Sequence, residues 1–257
     1  MQKELCLIAA ALCGAALCAQ TQSPEPAPQV LKAHSYVRRI SVGASLSVEG
    51  ISAVPKNSSH VVSTSPAVDS TYTSSNASQR IGYGITLQLA VWRRFAVVSG
   101  IFMRRFGYHM DSDIYQGVDN PATPKDDRTH INNHEDTHAR VFDVPVLLRY
   151  YGRDRTEKGP HWFIEGGIAG RRATHARTSV STALNEGNWV CCTVGPANLA
   201  QSSATGLVAG AGVQLIDPVG IRVVPEVRYT HWRAPIFNVF STTSRADQVE
   251  AMISLTF

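Results

Sequence analysis

The sequence predicts an all-β protein, an eight-stranded antiparallel up-and-down transmembrane β-barrel with short periplasmic turns and long extracellular loops. Three observations predict it. Segment after segment alternates apolar residues with small or polar ones at a period of two, the repeat of a strand and not of a helix. The connections between these segments alternate between short and long, the asymmetry of an outer-membrane barrel. Beyond Ala19 no apolar run reaches the roughly 18 residues of a spanning helix, so only strands could cross a bilayer.

The N-terminal residues read as export machinery. Lys3 precedes the apolar run LCLIAAALCGAALCA, the length of a secretory h-region. Residues 1–19 are therefore expected to be a signal peptide, 20–38 a Pro-rich periplasmic linker, and 39–257 the barrel. Cys6, Cys13 and Cys18 leave with the signal. Only the adjacent pair Cys191 and Cys192 remains, and consecutive Cα atoms lie closer than disulfide geometry prefers. With 24 basic and 20 acidic side chains and no basic block, nothing in the chain resembles a nucleic-acid footprint.

The strands follow in order. In RRISVGASLSVEG, Ile40, Val42, Ala44, Leu46 and Val48 share one face, with Ser, Gly and Glu49 on the other. QRIGYGITLQLA sets Ile81, Tyr83, Ile85, Leu87 and Leu89 opposite Gly82, Gly84, Thr86 and Gln88. FAVVSGIFMRRFGYH is irregular, and its faces stay unassigned. ARVFDVPVLLRYY sets Phe142, Val144, Val146 and Leu148 against Asp143, Pro145 and Arg149. HWFIEGGIAGRR, ATGLVAGAGVQLI, GIRVVPEVRYTHW and DQVEAMISLTF complete the set with the same alternation. Short turns fall at 91–94, 152–160 and 217–219. Polar loops are expected at about 51–78, 109–138, 173–203 and 233–246.

Alternation alone does not say which face is inside. A ring of eight strands encloses only enough room for side chains to fill. The bulky residues here share one face, while Gly, Ser, Thr and scattered charges share the other, which fits a narrow polar lumen. Glu49, Asp143, Glu165, Glu226 and Glu250 are expected to meet Arg149, Arg171, Arg222 and Arg228 there as a structural plug, because a charge turned to lipid at mid-membrane costs about 2–4 kcal/mol. A gated pore is the sharper alternative. Aromatic residues mark two belts, Trp92, Phe95, Tyr150, Tyr151, Trp162 and Phe257 at the short-turn end and Phe106, Tyr108, Tyr229 and Trp232 at the other.

In lipid no strand edge can stay unpaired, so the last strand is expected to close on the first. That strand ends at Phe257, and an alternating final strand with a terminal aromatic resembles the assembly signal of bacterial outer-membrane barrels. VFDVPVLLRYYG is similar to a strand of the small PorT-like and OmpA-like outer-membrane barrel families. The resemblance implies a Gram-negative outer-membrane location, contact with outer-membrane lipid, and recognition by the barrel-assembly machinery through the C-terminal strand. It implies a porin-like cell-envelope architecture and leaves the role of the loops, and any extracellular ligand, open.

The sequence supplies little catalytic chemistry. It has no G-x-S-x-G, P-loop or dinucleotide fingerprint. The stretch HINNHEDTHAR contains H-E-x-x-H at His134 to His138, the zinc-binding pattern of a metalloprotease helix. Its neighbours are polar all round and two prolines lie upstream, so no amphipathic helix supports it, and the match reads as chance. The expected protein is non-enzymatic and cofactor-free. The alternatives are an outer-membrane enzyme or metal-binding protein using His130, His134 and His138, and a soluble secreted lipocalin-like barrel with its apolar face inward.

Overall fold

The computed structural model describes residues 39–155, 159–185, 187–217, 220–239 and 241–257. The expected signal peptide and linker, residues 1–38, lie outside the described residues. Among those described, thirteen strands and no helix occur: β1 (Ile40–Glu49), β2 (Asn57–Thr64), β3 (Ala67–Asn76), β4 (Ile81–Ala90), β5 (Phe95–Gln116), β6 (Thr129–Tyr151), β7 (His161–Leu184), β8 (Val190–Pro196), β9 (Ser203–Ile216), β10 (Arg222–Trp232), β11 (Asn238–Val239), β12 (Thr242–Thr243) and β13 (Asp247–Thr256).

Eight of them form a closed antiparallel ring in the order β1, β4, β5, β6, β7, β9, β10, β13 and back to β1. The closing seam runs from Gly43 opposite Thr256 to Glu49 opposite Glu250. Gly43 permits that seam, since a Cβ there would overlap the Leu255 carbonyl and the Thr256 side chain. The fold class is therefore the one the alternation predicts. The register is fixed by the two faces, because a slip of one residue would turn every side chain to the wrong side.

The faces are inverted relative to a soluble barrel. Outward residues are large and apolar, among them Ile85 (64% exposed), Ile101 (58%), Leu148 (53%) and Ile168 (61%). Inward residues are polar or charged, among them Ser45, Thr86, Gln88, Arg149 and Glu226, all buried. The irregular third segment resolves in the same way. Ala96, Val98, Phe102, Arg104 and Phe106 point in, while Ile101 and Arg105 point out.

The long connections differ from expectation. Segments read as polar loops continue the sheet well beyond the apolar band. β5, β6 and β7 are 22, 23 and 24 residues long, about twice what a tilted membrane strand needs. Above the ring, β3 takes over the edge of β5 that β4 pairs lower down, from Asn76 opposite Tyr108 to Val68 opposite Gln116. β8 likewise takes over β7 above β9. The upper sheet thus runs β2, β3, β5, β6, β7, β8. A second apolar cluster fills its base, where Val54, Ile236 and Phe237 pack on Phe106, Tyr108, Met110 and Val141.

Candidate functional site

The inward face of the ring is the most chemically loaded part of the molecule. Glu165 on β7 and Glu226 on β10 are held by two arginines. Arg149 on β6 bonds both, with Nη2 at 2.7 Å from Glu165 Oε2 and 2.6 Å from Glu226 Oε2. Arg228 bonds both from the other side, at 3.1 Å and 2.6 Å. The four groups form a closed, neutral quartet in which every carboxylate oxygen accepts a charged hydrogen bond.

A second cluster sits above it. Arg171 donates from Nε and Nη2 to the two oxygens of Asp143, at 2.6 and 2.8 Å, and from Nη2 to Gln248 Oε1 at 2.6 Å. Arg104 reaches Glu250 at 2.6 Å, Asp143 at 3.5 Å and Glu49 at 3.7 Å. Arg222 donates to Ser41 Oγ at 2.8 Å lower in the ring. All nine charges named from the sequence are buried on this face. The sequence reasoning missed Arg104. With it, among the described residues the inward face of the ring strands holds five arginines (104, 149, 171, 222, 228) and five carboxylates (49, 143, 165, 226, 250), a formal balance of zero, and Arg155, from the turn after β6, is buried against Tyr151 at the short-turn end.

Aromatic rings pack against these cations. The Arg149 guanidinium lies 3.7 Å from the Phe163 ring centre, and that of Arg171 lies 3.7 Å from Trp232. At the short-turn end, Gln88 Nε2 donates to Tyr151 Oη at 2.9 Å, and Tyr151 donates to Gln214 at 2.8 Å, which ties three strands across the mouth. A cavity of about 10 Å³ remains among Phe102, Arg104, Trp232 and Glu250, room for about one water.

Four aromatics expected in the outer belts belong inside. Trp232 is 3% exposed, and its Nε1 donates to Gln248 at 2.9 Å. It shares the parity of Arg228 and Thr230, so the strand itself turns it inward. Phe106 and Tyr108 face the apolar cluster above the lumen, and the Tyr108 hydroxyl donates to Glu135 at 2.7 Å. Tyr151 closes the short-turn end as described. Trp92, Phe95, Tyr150, Trp162, Tyr229 and Phe257 do lie on the outward face. Phe95, Tyr150 and Trp162 pack in a row, with ring centres 5.2 and 6.5 Å apart.

Three solved structures align with the chain over most of its length. One is the outer membrane protein OprG from Pseudomonas aeruginosa, 11% identical, covering 84% of this chain and 93% of that one, with a TM-score of 0.41. The others are Ail, the attachment invasion locus protein of Yersinia pestis, 11% identical over 85% of this chain and 96% of that one (TM-score 0.29), and Ail in complex with the heparin analogue sucrose octasulfate (TM-score 0.28). No family model matches the sequence. No curated protein matches it either.

The HEDTH stretch lies on β6, inside the upper sheet and not at a loop edge. On a strand His134 and His138 share a face but are about 13 Å apart along the backbone, where a helix would set them one turn from each other. Each meets a carboxylate. His134 Nδ1 is 2.6 Å from Asp111, and His138 Nε2 is 3.1 Å from Asp136, which also meets His109 at 3.2 Å. The pattern repeats across the upper sheet and rim, in His60 with Asp69, His130 with Asp113 and His231 with Asp247. Asp247 also accepts a hydrogen bond from Tyr229. His130, His134 and His138 are thus spread along one strand with separate partners. Among the described residues no group of three or more His, Cys, Asp or Glu is arranged to hold a metal ion. Cys191 and Cys192 on β8 are bonded to each other.

Proposed function

We propose that this chain is a non-enzymatic protein of the bacterial outer membrane, with a closed lumen that anchors a tall extracellular sheet available for contact with a partner. The observation that carries the reading is the inversion of the two faces: large apolar side chains outward around the ring, a neutral ion-pair network inward. In water this arrangement would expose the apolar face and bury the charges, both unfavourable. In a bilayer the first cost disappears and the inward pairing becomes the favoured place for the charges, since turning them to lipid would cost more, while the closed ring satisfies every strand edge. The same inversion disfavours the soluble lipocalin-like alternative, whose apolar face would point in. The terminal strand β13, which precedes Phe257, would present the recognition element for the barrel-assembly machinery.

The test is fractionation of expressing cells together with gel migration of unheated and heated samples in detergent. Recovery in the outer-membrane fraction, with a shift on heating, is expected. Recovery wholly in the soluble periplasmic fraction would overturn the reading.

A further inference from the structure

We propose that Arg105, Arg140 and Arg172 form a binding site for the phosphate headgroup of an anionic lipid in the outer leaflet. The proposal rests on the membrane-spanning reading above. On three consecutive strands the outward apolar run ends at an arginine. β5 runs outward through Ile101 and Met103 to Arg105, β6 through Val144 and Phe142 to Arg140, and β7 through Ile168 and Gly170 to Arg172.

The spacing is the same on each. Phe95 to Arg105, Tyr150 to Arg140 and Trp162 to Arg172 are each ten residues. Ten residues are about 34 Å along a strand. At a tilt of about 40° that is about 26 Å of height, close to the ~25 Å apolar band of an outer-membrane barrel. The three aromatics pack together at one edge of that band, so the three arginines stand at the other, level with the headgroups.

The arginines are also neighbours in the sheet. Arg105 sits directly opposite Arg140, and Arg172 is diagonal to Arg140, which faces Thr174. Like charges directly opposite one another destabilise a ladder. All three are exposed, and among the described residues no carboxylate pairs with them. The nearest carboxylate further up β6, Asp136, is engaged by His109 and His138. The missing counter-charge must come from outside the chain. A planar guanidinium fork matches phosphate oxygens two at a time. A lipid brings both the phosphate and an acyl chain for the apolar wall below. The site is one-sided, because the residue ten positions from Phe257 on β13 is Asp247, already bonded to His231 and Tyr229.

The experiment refolds the full chain into phosphatidylcholine vesicles containing a minor fraction of a phosphomonoester lipid, phosphatidic acid. Insertion is scored first, by heat-dependent migration and protease protection. Failure to insert would sink the membrane reading itself. Inserted protein is extracted into mild detergent, and its retained lipid is identified by native mass spectrometry. Selective retention of phosphatidic acid is expected, falling about five-fold for each of Arg105→Gln, Arg140→Gln and Arg172→Gln. Arg93→Gln with Arg94→Gln, at the opposite end, is expected to retain it fully. The site is overturned if the inserted triple variant retains as much phosphatidic acid as the parent, if the Arg93/Arg94 variant loses as much, or if inorganic phosphate displaces the lipid at equal concentration.

Discussion

At the scale of single residues the lumen is governed by whether each charge keeps its partners. Arg149 alone satisfies one oxygen of Glu165 and one of Glu226. Arg149→Met should therefore destabilise the inserted barrel by about 3–5 kcal/mol, the cost of leaving buried charge uncompensated. Adding Glu165→Gln alone, which leaves Arg228 paired with Glu226 at 2.6 Å and restores the charge balance, should return part of that loss. Urea titration of tryptophan fluorescence in vesicles measures both. Most of the lumen was legible as residue parity. Arg104 was not, because Arg104 and Arg105 are adjacent and face opposite ways in a segment where Ser99 and Gly100 blur the alternation. Trp232 shares the inward parity of Arg228, and an indole suits a membrane belt as well as a lumen, so residue type and parity point opposite ways there.

At the scale of elements the upper sheet was hidden from the sequence for a physical reason. Period-two patterning marks a strand only when one face is apolar. In β2 nearly every residue is exposed, and in the upper half of β6 both faces carry polar side chains, so the signal vanishes although the hydrogen bonding continues. What holds these strands is register with a neighbour that is itself anchored below. The β2–β3 hairpin touches β5 only from Tyr108 to Gln116, above the stretch that β4 pairs. Replacing Asn57–Asn76 by a short Gly-Ser linker should leave the ring intact. Unchanged heat-dependent migration would bear this out, and loss of insertion would show that the hairpin takes part in closing the barrel.

At the scale of the whole molecule the lumen is filled from one end to the other. Tyr151 with Gln88 and Gln214 ties the short-turn end, the two ion-pair clusters fill the middle, and Phe237 on Tyr108 caps the top, with ring centres 5.1 Å apart. Protein inserted in a planar bilayer should give no steady ion conductance, and deleting residues 233–246 should not create one, because the charged plug lies below that cap. A stable open level in the parent protein would overturn this account. Strand number and closure were readable from the alternation of short and long connections together with the inverted faces. Their consequence for the upper sheet was not, and it follows from topology alone. The ring has no edge, yet the sheet it sends upward ends in two, β2 on one side and β8 on the other, each hydrogen-bonded along a single flank. Backbone donors and acceptors along those flanks face water as templates for another strand. Among the described residues these are the two free edges of the upper sheet, and a molecule that joins it through main-chain pairing would meet one of them above the ring.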